Sequence, residues 1–159
     1  SSHPTVIKTL IGLGEMEMRK QEGSNAAAIL QKALQTAVQH WGPEHLVVAR
    51  CMQDLSIIYD TAGNSDAAIE FCEKALLITE KLLGPADPQV ANCLETLGSI
   101  YAMSGQSYKA EPIIRRALSI YQKVYGDLHP STATCCEWLS LTLKGLNMIE
   151  EALHWHKKS

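Results

Sequence analysis

GPADPQVANCLETLGSIYAMSGQSYKAEPIIRRALSIYQKVYGDLHP, residues 84–130, decides the fold. Val90, Leu94, Leu97, Gly98 and Tyr101 fall at i, i+4, i+7, i+8 and i+11, one stripe of an amphipathic helix. Ala110, Ile113, Ile114, Ala117, Leu118, Tyr121 and Val124 draw a second stripe. Gly105 stands between them, and Gly126 after them, where the residue past a helix end needs positive φ. Ser107 reads as the N-cap of the second helix. The X-Pro steps Asp87-Pro88 and His129-Pro130 block continuation at either side. The stretch is a helical hairpin.

Outward from this hairpin the same landmarks recur every 42 residues. Gly42-Pro43 and Gly84-Pro85 keep that spacing with Gly126-Asp127, and so do Ala33-Leu34, Ala75-Leu76 and Ala117-Leu118. Leu13, Leu55, Leu97 and Leu139 share one register, and Ala26, Ala68, Ala110 and Ala152 another. Several independent landmarks in step, without an insertion, mark a tandem repeat. The pattern predicts helices over 4–20, 24–41, 45–61, 65–83, 87–103, 107–125, 129–144 and 148–158, with Ser65 capping as Ser107 does. Strand signals are absent. Pro112, in the first turns of its helix, removes one backbone donor and predicts a local kink.

One such hairpin cannot bury its apolar face alone, so its neighbours must stack on it. The expected fold is all-α, a right-handed α-solenoid of antiparallel helix hairpins with a concave inner wall. It forms one domain over 1–159, with units of about 3–44, 45–86, 87–128 and 129–159. The last unit stops short of a full second helix, which reads as a segment of a longer array. Gly98, Ala110 and Ala117 are small where paired helices approach closely.

The 159 residues are 46% hydrophobic and 19% charged, an ordinary balance for a folded domain. Fourteen Lys and Arg against seventeen Asp and Glu give a net charge of −3, which argues against nucleic acid as a partner. No apolar run approaches the roughly 18 residues of a membrane span. Five cysteines without secretory features fit a reducing, cytoplasmic setting. No nucleophile–base–acid set, phosphate loop or metal-binding motif emerges, so neither enzyme activity nor a cofactor is expected.

Leu97-Gly98, Tyr101, Ala110 and Ala117 match the landmarks of the tetratricopeptide repeat, and the chain resembles that family. The 42-residue period and the A-E-P step at 110–112 before Arg116-Ala117-Leu118 are similar to the kinesin light chain subclass. The first unit departs at Glu17 and Gln21, where later units have Tyr59 and Gly63, Tyr101 and Gly105. The fourth has Leu143 and Asn147 there.

The resemblance implies an inner wall lined from each first helix. It places Lys8, Arg50, Asn92 and Thr134 at one rung, followed by Ile11, Gln53, Glu95 and Glu137. Gly12, Asp54, Thr96 and Trp138 come next, and then Glu15, Ile57, Ser99 and Leu141. Regularly spaced donors such as Lys8, Arg50 and Asn92 suit the recurring carbonyls and carboxylates of an extended peptide. Asp54, Glu95 and Glu137 dilute the basic character. Trp138 either points into the groove as an anchor or packs sideways on the last helix.

Other constellations read as structural. Cys51, Cys93 and Cys135 share a register, but successive first helices sit about 10 Å apart, beyond the roughly 7 Å limit between disulfide Cα atoms. His3, His45 and His129 share their place with Asp87, which points to capping or contacts between units. His154 and His156 flank Trp155 and are expected to be solvated or covered by a following unit. The expected function is a non-enzymatic module that holds a protein or peptide partner in the concave groove, as adaptor or scaffold. The alternative is a self-associating scaffold, or the sensor arm of a larger enzyme or signalling protein, with Leu10, Ile11, Leu153 and Trp155 on its end faces.

Overall fold

The computed structural model of the chain describes residues 3–19 and 23–158, and every described element is an α-helix. The helices are α1 (His3–Arg19), α2 (Gly23–Trp41), α3 (Leu46–Thr61), α4 (Ser65–Leu83), α5 (Pro88–Met103), α6 (Ser107–Tyr125), α7 (Pro130–Gly145) and α8 (Ile149–His156). Each expected helix is found, with ends displaced by no more than two residues. The chain divides into two compact units, Ser1–Leu82 and Leu83–Ser159.

The three hairpin turns among the described residues follow one rule. Gly63 and Gly105 adopt φ of +78°, and Asn147 takes their place at +62°. Asparagine serves because its short polar side chain tolerates the left-handed region better than other non-glycine residues. In each turn the next amide reaches back to the helix just ended: Asn64 donates to Tyr59 O at 2.8 Å, Gln106 to Tyr101 O at 2.8 Å, and Met148 to Leu143 O at 2.9 Å. Carbonyls that the helix leaves orphaned are thereby satisfied.

Two expected caps are displaced. Ser65 and Ser107 are the first residues of α4 and α6 and not their caps. Asn64 performs the task for α4, its Oδ1 accepting from Ala67 N–H at 3.2 Å. Gln106 precedes α6 without a side-chain cap bond. α6 is assigned as one helix from Ser107 to Tyr125, with Pro112 inside it.

The repeat register is also a burial register. Ala26, Ala68, Ala110 and Ala152 are fully buried, as are Ala33, Ala75 and Ala117. In the first unit Ile7 and Ile11 of α1 meet Ala33 and Ala37 of α2 and Val48 and Cys51 of α3. A second cluster joins Ala26 and Leu30 to Leu55 and Ile58, against which Tyr59 and Phe71 stack with ring centroids 5.4 Å apart. In the second unit Gly98 of α5 lies directly under Ile114 of α6. Ser140 of α7 donates to Ala152 O of α8 at 2.9 Å, and Arg115 of α6 bridges its own-helix neighbour Glu111 and Glu151 of α8. Each fully buried Leu or Ile in such a core contributes about 1.5–3 kcal/mol, so the paired helices hold one another.

Candidate peptide-binding face

The faces in question are carried by the first helix of each hairpin, and the later first helices, α3, α5 and α7, are each fixed at the start by a side-chain cap. His45 Nδ1 accepts from Val47 N–H at 3.2 Å, Asp87 Oδ1 from Gln89 N–H at 2.7 Å, and His129 Nδ1 from Ser131 N–H at 3.2 Å. The shared register of these residues is therefore a capping register. The two histidines also stack on aromatic residues that close the preceding helix, His45 on Trp41 at 4.8 Å and His129 on Tyr125 at 4.2 Å. The side chains of His3 and Glu15 lie outside the described residues.

In the first unit Lys8 of α1 and Arg50 of α3 are exposed at equivalent positions, and α1 packs directly on α3. Gln53 and Asp54 are half-buried, while Ile57 is exposed. Burial, reinforced by the charge of Asp54 and opposed by that of Arg50, pushes the Cys51 thiol up to about 12. Ile11, expected on the wall, is 7% exposed and belongs to the core, where it faces α3.

In the second unit Asn92 and Glu137 are exposed and Glu95, Ser99, Thr134 and Trp138 half-buried. Their donors are unequally available. The Ser99 hydroxyl donates to Thr96 O at 2.8 Å and that of Thr134 to Pro130 O at 3.0 Å, so each offers a ligand its oxygen's lone pairs. Glu95 turns toward α6, where its Oε2 accepts from the Tyr121 hydroxyl at 3.1 Å. Burial raises the carboxyl of Glu95 above its usual range, against the lowering effect of that hydrogen bond.

Glu137, Trp138 and Leu141 of α7 line a cleft of about 340 Å³ with Ser140, Lys144 and His156. Trp138 thus lines an open cleft shared with His156 of α8. Lys144 and His156 are additions that the spacing analysis did not make. For Lys144 the signal is present, two helical turns beyond Glu137 on the same face. His156 comes from the partner helix, and no spacing within α7 points to it. The cleft offers a flat aromatic wall, an aliphatic side chain and charges of both signs.

All five cysteines are free and buried, and burial also pushes the thiol of Cys135 far above its ordinary value. In Cys51 and Cys135 this disfavours the thiolate that nucleophilic or redox chemistry requires. Among the described residues no group of three His, Cys, Asp or Glu side chains lies close enough to hold a metal ion. No described helix is long and apolar enough to cross a membrane.

Comparison with known proteins places this geometry. Residues 5–71, 62–121 and 97–159 each match the tetratricopeptide repeat family. No curated protein sequence matches the chain. Among solved structures, BtubC of P. vanneervenii superposes with a TM-score of 0.90 at 20% identity, over 98% of this chain and 62% of that one. A putative kinesin light chain protein of Podosopora anserina with nearly identical repeats gives 0.89 at 19% identity, over 99% and 75%. Aspartyl phosphate phosphatase F of Bacillus subtilis gives 0.85 at 16% identity, over 99% and 40%. The chain therefore spans 62% of the length of the first of these structures, and at these identities the likeness is one of fold. On matches that together run from residue 5 to residue 159, the chain belongs to the tetratricopeptide-repeat family.

Proposed function

We propose that the chain binds an extended segment of a partner protein along the exposed faces of its first helices, as an adaptor or scaffold and without catalysis of its own. Tetratricopeptide repeats are generally protein–protein interaction modules. The observation that carries the finer reading is the exposure of Lys8 and Arg50 at one register position on α1 and α3, which pack directly on each other in the first compact unit. An extended chain presents carbonyls and carboxylates along a line, and donors that recur along the protein match them. The cleft beside Trp138 and Leu141 adds an apolar anchor of the kind that concentrates binding energy. Five free, buried thiols suit a reducing compartment such as the cytoplasm.

Titration of fluorescently labelled peptides that pair tryptophan with acidic residues tests this reading. Arg50→Glu should weaken binding by about tenfold, the equivalent of ~1.4 kcal/mol for removal of one charge-assisted hydrogen bond. Binding that is indifferent to charge reversal at Lys8 and Arg50 alike, and to Trp138→Ala, sinks the proposal. A second reading, self-association, is favoured by the exposure of Leu13 and Met16 on α1 and of Ile149 and Leu153 on α8. Light scattering separates the two, since a monomer that still binds peptide excludes it.

A further inference from the structure

The same joint is built twice in this chain from different chemistry. In the first unit Ile11 of α1, Ala37 of α2 and Cys51 of α3 are buried together where α3 meets the hairpin before it. Eighty-four residues on, the equivalent positions are Glu95 of α5, Tyr121 of α6 and Cys135 of α7. Tyr121 is 3% exposed and Cys135 fully buried. An aliphatic joint has become a polar one, with a carboxyl group and a phenol in place of two hydrocarbon side chains. The Tyr121 hydroxyl donates to Glu95 Oε2 at 3.1 Å, and Asn92, one turn before Glu95, also hydrogen-bonds to Tyr121.

We propose that Glu95 and Tyr121 form a proton-controlled clasp between α5 and α6, on the side of the hairpin where Cys135 of α7 is buried, which tightens when Glu95 takes up a proton. A carboxylate withdrawn from water loses hydration that one phenolic donor does not restore, whereas a neutral carboxyl loses far less. Once protonated, Glu95 still accepts from Tyr121 and gains a donor of its own. The titratable groups that face it are Tyr121 on α6 and Cys135 on α7, and burial raises both, so each stays neutral while Glu95 titrates. α7 packs directly on both α5 and α6, so the clasp lies in the hairpin that carries Asn92 and against which α7 rests. This inference does not depend on what those faces bind.

The direction follows from the displacement of Glu95 upward in the folded state. Its charged form costs stability at neutral pH, and that cost disappears as pH falls through the folded value. It is fully relieved below the unfolded value of about 4.3. The test is ¹³C NMR titration of the Glu95 carboxyl in the whole chain, with denaturant unfolding of wild type and Glu95→Gln at about pH 5, just above the ordinary glutamate range, and at about pH 7.5, well above it. The folding constant of wild type relative to E95Q should rise several-fold on acidification. Glu95→Ile, which copies Ile11 of the first unit, should remove the same dependence as E95Q. Tyr121→Phe should steepen it, because the carboxylate loses its donor. A wild-type to E95Q ratio that does not change with pH overturns the clasp, as does a Glu95 carboxyl that titrates in the ordinary glutamate range. The NMR titration of wild type decides alone if the variants do not fold.

Discussion

Gly98 lacks a side chain because Ile114 occupies the space. A Cβ built on Gly98 would lie 2.4 Å from Ile114 Cγ1, and one on Gly14 would lie 2.6 Å from Leu30 Cγ. Gly12, on the same helix as Gly14, has nothing within 4 Å. Gly98→Ala should therefore destabilise by about 1–3 kcal/mol through overpacking, while Gly12→Ala should be neutral or gain up to about 1 kcal/mol from helix propensity. Thermal unfolding of the two variants checks this, and a melting temperature raised by Gly98→Ala contradicts the packing described. The close approach at Gly98 was legible in the sequence because a glycine inside an apolar stripe marks a place where the neighbouring helix leaves no room for a side chain. The role of Ile11 and Glu95 was not. Their position four residues into the register lies at the border between the exposed face and the next helix, and spacing gives the angle around a helix without saying what covers it. The same angle leaves Glu137 exposed on α7, half-buries Glu95 on α5 and buries Ile11 on α1.

Helix ends show the same division. His45, Asp87 and His129 were readable as caps or as contacts between units because one register position before a helix accepts either His or Asp, and their side chains do accept from the amide two residues on. Ser65 and Ser107 were misplaced by one residue for a physical reason. The amide directly after the left-handed residue must close the turn on the previous helix, as Asn64 does on Tyr59. That leaves Asn64 itself as the position with non-helical geometry from which a side chain can cap. Asn64→Ala should cost about 1 kcal/mol, as removal of a cap ordinarily does, and Ser65→Ala should stay within about 0.5 kcal/mol. Urea unfolding distinguishes them, and equal costs would return the cap to Ser65. The cleft beside Trp138 needed the second helix of its hairpin as well, since His156 reaches it from α8.

At the scale of the molecule, a tandem array draws its stability from within each hairpin and from the hairpins stacked next to it. A cavity made in one unit should therefore be felt most by the helices that touch it. Leu97 is 3% exposed in α5, and Leu97→Ala should cost about 2–5 kcal/mol, the forfeited transfer energy plus the cavity. Lys109→Ala is the control, because Lys109 is exposed and losing its ammonium 5.2 Å over the Tyr101 ring should cost no more than about 1 kcal/mol. Trp41 lies in the first compact unit, and Trp138 and Trp155 lie in the second. Variants that keep only Trp41 or only Trp138 then report the two units separately in one denaturant titration. Leu97→Ala should lower the midpoint seen by Trp138 more than that seen by Trp41. Identical displacements of both midpoints would mean that the 159 residues unfold as one cooperative body, and the additive account of the repeats would have to be given up.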